Sequence, residues 1–188
     1  DLHSFPTRRS SDLEPEILYH SIHYIDLVRN LLGNPASIYA KTTKHPAMPR
    51  LASVRSNIIM DYGEMIRTNI LTNHCHIYGL PKQQSYIKME GSKGAIKINF
   101  GALIDYPGGA ADSFEYVLME EGAQWQEKKI DGSWFPEAFI GSMTQVMLAA
   151  EGLIDKPDNS VEDCIHTMAC VEAAYRSSEQ GGIKPEVP

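Results

Sequence analysis

The chain has 188 residues, 43% of them apolar and 22% charged, which fits one globular domain, with or without a tail, and a buried core. Its formal net charge of −7 argues against a duplex nucleic-acid binder, which carries a basic face, and no apolar run approaches the roughly 20 residues of a membrane-spanning helix. Cys75, Cys164 and Cys170 form no C-x-x-C pair and no disulfide framework, the usage expected of reduced thiols in a cytoplasmic protein.

Residues 1 to 13 read as a disordered tail, because "HSFPTRRSSDL" mixes Pro, Ser and paired Arg without periodicity. That stretch also resembles the translation of a DNA-sequencing adapter. On that reading it is artefactual, the reading frame opens inside a gene, and the native protein extends upstream of Glu14. Residues 14–188 then form the domain.

From Glu16 onward, Ile22, Ile25, Val28, Leu31 and Leu32 recur at helical spacing, and Gly33 with Pro35 ends the helix. The stretch "ASIYAKTT" is a strand candidate and "HPAMPR" breaks it. "SVRSNIIMDYG" and "EMIRTNILTNHCHIYG" are β-branched runs on either side of Gly63, with strand–turn–strand character. "SYIKMEGSKGAIKINF" alternates around the turn "EGSKG" and predicts a hairpin. "DYPGGAADS" is a loop, and "FEYVLME" and "AQWQEKKI" add two strands. A helix follows Pro136, and "NSVEDCIHTMACVEAAYRSSEQGG" is a second, with Asn159 or Ser160 at its N-cap and Gly181 at its stop. Cys164 and Cys170, six apart on it, point to different faces. The expected fold is α+β: a mainly antiparallel open sheet of about six or seven strands, covered by helices on one face.

Three segments in this order, "HYIDL…LLGNP", "MEGSKGAIK" and "SVEDCIHTMACVEAAYRSS", resemble the C-terminal domain of the glucose–fructose oxidoreductase / inositol dehydrogenase / rhizopine-catabolism (Gfo/Idh/MocA) family over about residues 14 to 188. The resemblance implies an NAD(P)-dependent sugar or polyol dehydrogenase, acting by hydride transfer between a hydroxyl carbon and the nicotinamide. A Rossmann domain with a glycine-rich turn would hold NAD or NADP upstream of this chain, with the family's Glu-Lys-Pro lysine. No G-x-G-x-x-G follows a strand here, so the fragment alone is expected to bind dinucleotide weakly and to be inactive. The resemblance also implies a homo-oligomer assembled through the open sheet face.

His23, in "HYID", falls on the family's active-site histidine, an acid/base group for the substrate hydroxyl proton. Four residues earlier the family often carries aspartate, and here that position is Tyr19. Tyr19 and His20 are therefore candidates for substrate contact. "TNHCHIYG" places His74 and His76 on one face of a strand, with Cys75 on the other, so Asn73, His74 and His76 are candidate pocket residues. Four imidazoles, His20, His23, His74 and His76, suffice for a zinc site by ligand count, but the family reading needs no metal. Trp134 is a candidate wall for a sugar ring, or else an anchor for the helix after Pro136. Met143, Met147 and Met168 read as core fillers, and Glu120, Glu121 and Glu127 with Lys128 and Lys129 as a charged hairpin edge. The rival reading is a non-catalytic ligand-binding or assembly module of the same fold, which Tyr19 in place of aspartate keeps open.

Overall fold

The computed structural model describes residues 16–105, 109–134, 136–183 and 185. The expected tail at 1–13 and part of the "DYPGG" loop lie outside the described residues. The chain divides into two compact units, one from the residues up to His76 together with those from Ser160 on, the other Ile77–Asn159.

In the first unit a π-helical turn, Ile17–Ser21, runs directly into helix α1, Ile22–Leu32. The apolar stripe read from the sequence faces inward: Ile25 is fully buried, and Ile22 and Val28 pack against the core. Leu31 and Leu32 are exposed, and Gly33 ends the helix at φ +81°, its N–H donating to the Arg29 carbonyl. Strands β1 (Ser37–Thr43), β2 (Arg55–Asp61) and β3 (Ile70–Asn73) form an antiparallel sheet in that order. The register pairs Ala40 with Ile58 and Ile58 with Ile70. Alternation along β2 turns Ser56, Ile58 and Met60 inward.

Helix α3 in the first unit, Val161–Gln180, completes this core with Cys170, Val171, Ala174 and Tyr175. As the spacing predicted, Cys170 is buried and Cys164 exposed. The last turn of α3 also covers the outer edge of β1. The N–H groups of Ala40 and Thr42 donate to Ser177 Oγ and Ser178 Oγ, each at 3.0 Å, so donors that an edge strand leaves open are satisfied by the helix. Arg29 joins the two helices. Its guanidinium reaches Asp163 on α3 at 3.0 Å, Thr167 at 2.5 Å and Asn34 at 2.9 Å, and Thr167 in turn donates to Asp26 at 2.5 Å.

The second unit holds strands β4 (Tyr86–Gly91), β5 (Gly94–Asn99), β6 (Ser113–Leu118) and β7 (Gln126–Lys128), antiparallel and in sequence order. The expected hairpin is β4–β5, turning at Ser92 and Lys93. Gly94 has φ +154°, and a Cβ there would lie 2.3 Å from the Val117 carbonyl oxygen. Helix α2, Ala138–Ala150, buries none of its residues.

The α+β class and the seven strands among the described residues agree with expectation, but the single open sheet does not: the described residues form two sheets, of three and four strands. The ladder stops after Asn73, where the chain leaves the extended conformation. Gly79 at φ +86° and a 3-10 turn at Leu80–Lys82, containing Pro81, then occupy the link to β4. Helical cover is likewise uneven, since α3 packs on β1 whereas α2 belongs to the other unit. Met143, Met147 and Met168, expected in the core, are exposed.

Candidate functional site

The site lies where the π-helical turn meets β3. A turn closed by i to i+5 hydrogen bonds brings residues five apart into line, so Glu16 and Ser21 face the same way, into the core. Glu16 is 1% exposed. Its Oε1 accepts hydrogen bonds from Ser21 Oγ and Thr72 Oγ1, each at 2.6 Å, and His74 Nε2 lies 3.4 Å away. Ser56 closes the network, its hydroxyl 2.7 Å from Thr72 Oγ1. Burial alone would raise the Glu16 carboxyl. Hydrogen bonds from His74, Ser21, Ser56 and Thr72 outweigh that and hold it below the ordinary carboxylate value, so a buried charge persists.

His74 lies just past β3 rather than on a strand, but the alternation survives: Ile70, Thr72 and His74 all turn toward this network. The His74 ring meets the His20 ring with centroids 4.0 Å apart and planes inclined by 33°. Burial, then the neighbouring His74, pushes the His20 imidazole below its ordinary value against a smaller opposing pull from Glu16, and His23 adds to the lowering. His20 is thus a neutral hydrogen-bond acceptor and donor at physiological pH. Glu16, His20 and His74 line a cavity of about 150 Å³ together with Met48, Leu51, Ser53 and Val54.

His23 is exposed on the first turn of α1, near enough to His20 to influence its charge. Tyr19 is 62% exposed. Asn73 is exposed and its Oδ1 accepts the Cys75 N–H at 3.1 Å, a local turn that ends β3. His76 is half-buried beyond that turn and does not line the cavity. Trp134 belongs to the second unit, where its ring packs against Phe100 at 4.7 Å and its backbone N–H donates to the Asp112 carboxylate. The sequence reading missed Glu16, Ser53 and the contact between Cys75 Sγ and His45 Nδ1 at 3.1 Å. A signal for Glu16 was present: Glu16, His20 and His23 stand at i, i+4 and i+7, one helical face.

Among the described residues no three His, Cys, Asp or Glu side chains converge to hold a metal ion, and no helix is long and apolar enough to cross a membrane.

The fold is that of oxidoreductase domains. An oxidoreductase from Agrobacterium radiobacter, solved in complex with NAD+, L-tartaric acid and magnesium, superposes with TM-score 0.62 at 17% identity, covering 88% of this chain and 47% of that one. The WlbA dehydrogenase from Bordetella pertussis, in complex with NADH and UDP-GlcNAcA, gives TM-score 0.60 at 17% identity, covering 94% of this chain and 46% of that one. An oxidoreductase from Bacillus cereus gives TM-score 0.60 at 13% identity, covering 90% and 61%. The chain spans about half the length of the first two structures. No curated protein matches the sequence. The model of the oxidoreductase family C-terminal α/β domain matches residues 16–187, and the chain belongs to this Gfo/Idh/MocA family.

Proposed function

We infer that this chain is the substrate-binding half of an NAD(P)-dependent oxidoreductase that moves hydride between a hydroxyl-bearing carbon of a sugar or polyol and a nicotinamide. The observation that carries the reading is the histidine cluster at the start of α1, in a chain that matches the family domain from residue 16 to 187. Two structural neighbours carry NAD+ or NADH together with L-tartaric acid or UDP-GlcNAcA, which supports nicotinamide chemistry on hydroxylated small molecules.

Helix α3 opens from an extended Ser160 but carries Glu162 and Asp163 in its first turn, where they repel a pyrophosphate. In this reading a Rossmann domain of the kind the family resemblance implies binds the cofactor, and what these residues supply is the proton and the pocket. Oxidation of an alcohol releases the hydroxyl proton as hydride leaves carbon. His23, exposed at the head of α1, is the acid/base group for that proton. Tyr19, His20 and His74 are assigned as hydroxyl partners, with Asn73 and His76 as further candidates. Trp134, packed on Phe100, serves first as an anchor.

The β4–β7 sheet offers a broad groove lined by Met89, Ile96, Phe114, Tyr116 and Leu118, which suits the homo-oligomeric contact expected of an open sheet face. The function is tested by producing the protein from the complete gene and following nicotinamide absorbance with a panel of sugars and polyols and both cofactors. Reduction dependent on a hydroxylated substrate is expected. Absence of turnover across the panel, with dinucleotide demonstrably bound, would favour the non-catalytic module.

A further inference from the structure

The cavity beside the histidines has a polar floor that the fold leaves unsatisfied. Glu16 spends only one carboxylate oxygen on its network: Oε2 is buried and has no hydrogen-bond partner among the described residues. Ser53 is fully buried, and its Oγ likewise lacks a partner. Both residues line the same cavity of about 150 Å³, well above the roughly 30 Å³ share of one water. Val54 is buried with them, whereas His20 and His74 are partly exposed and stand at the mouth. Two buried polar atoms left open in one small cavity are costly unless something occupies it.

The chemistry of the opening selects its occupant. Glu16 Oε2 accepts hydrogen bonds only, Ser53 Oγ accepts or donates, and a neutral imidazole offers one lone pair. A hydroxyl group fits this set: its one proton goes to Glu16 Oε2, and its oxygen accepts from Ser53 Oγ–H or from the protonated nitrogen of His20. A second carboxylate would face the Glu16 charge in a poorly hydrated cavity. Met48, Leu51 and Val54 supply an apolar wall that suits the carbon bearing the donor.

We propose that Glu16 Oε2, Ser53 Oγ and the His20 ring form a subsite that takes an uncharged hydroxyl group of the substrate, with Glu16 Oε2 accepting from its O–H, and turns away a carboxylate. The proposal rests on the reading of this chain as the substrate half of a hydroxyl-oxidising enzyme, and it narrows that substrate to neutral sugars and polyols at this end. Glu16 is here a specificity residue, distinct from the acid/base role given to His23.

The test is an NMR titration of the His20 and His74 imidazole signals in this chain, with glucose and with its acid counterpart glucuronate. Glucose is expected to displace both signals saturably, and glucuronate to bind at least about tenfold more weakly. Ser53→Ala removes a hydroxyl that has no partner to lose among the described residues. It is expected to keep the thermal midpoint and to weaken glucose by about three- to tenfold, the worth of one hydrogen bond. Glu16→Gln is expected to narrow or reverse the preference for glucose over glucuronate. The proposal is overturned if neither sugar moves the signals, which would mean ordered water only, if the two sugars bind equally, or if Ser53→Ala binds glucose as the wild type does. Should a variant fail to fold, the comparison of the two sugars on the wild-type chain decides alone. Turnover of a neutral sugar by the complete protein with unmoved His20 and His74 signals refutes the subsite only. Saturable binding without turnover refutes the dehydrogenase reading only.

Discussion

Arg29 fixes α1, and with it the head of the helix that carries His23, against α3. Replacing Arg29 by Met keeps most of the aliphatic packing and removes the guanidinium. The cost follows from what is left behind. Breaking a fully buried ion pair costs about 3–5 kcal/mol because the orphaned charge stays buried. Here the partners fare better: the side chains of Asp26 and Asp163 are 54% and 46% exposed, so water replaces the lost donors. Thr167 is buried but still donates to Asp26. What remains is the loss of three charge-assisted bonds, to Asp163, Thr167 and Asn34; water largely replaces those to exposed Asn34 and half-exposed Asp163, and the bond to buried Thr167 is worth about 1.5 kcal/mol or more. The expected destabilisation is therefore about 2–3 kcal/mol, or a melting midpoint lower by roughly 5–10 °C for a chain of this size. Urea unfolding of the wild type, Arg29→Met, Asp163→Asn and the double variant measures both the total and the coupling, expected near 1 kcal/mol. A loss below about 0.5 kcal/mol would reduce the cluster to an ordinary surface ion pair and refute the reasoning.

Two further outcomes follow from the same structure. Folding holds Glu16 below its ordinary 4.5 and His20 below its ordinary 6.5, so the unfolded chain binds more protons in both windows. Stability is expected to fall as pH drops through the ordinary histidine value, and again below the ordinary carboxylate value until folded Glu16 protonates. Urea midpoints at about pH 8 and about pH 5 check the sign, and a midpoint that rises on acidification contradicts it. Gly94→Ala places a Cβ 2.3 Å from the Val117 carbonyl oxygen at a left-handed φ, so the β4–β5 hairpin must distort; a loss of about 2 kcal/mol or more is expected from denaturant unfolding, and a neutral substitution would mean that the β5–β6 approach is looser than described.

Local signals carried most of the elements. Gly33 and Gly181 end α1 and α3 where the sequence placed them, and the β4–β5 hairpin turns within "EGSKG". Pairing beyond neighbours was not legible. Nothing local distinguishes strands that continue one sheet from strands that begin another, and the run "EMIRTNILTNHCHIYG" reads as strand up to Gly79 although β3 ends at Asn73. The exposure of Met143 and Met147 escaped for a similar reason, because helical spacing reports a face but not what covers it. At the site, alternation through Ile70 and Thr72 carried His74 to the right face even though β3 stops one residue short of it. Glu16 was passed over because its i, i+4, i+7 relation to His20 and His23 does not say whether that face is buried, and the π-helical turn is what aligns it with Ser21 in the interior. Ser53, a small residue at the start of a strand run, gave no sequence signal for its open hydroxyl.

The central claim is that the head of α1 handles the substrate's proton. Its most direct test is kcat for His23→Ala against the wild type, measured in the complete protein with a substrate identified from the panel. The account predicts a fall of about 10²- to 10⁴-fold, as for loss of a general acid/base, with the fold retained. An unchanged kcat would contradict it.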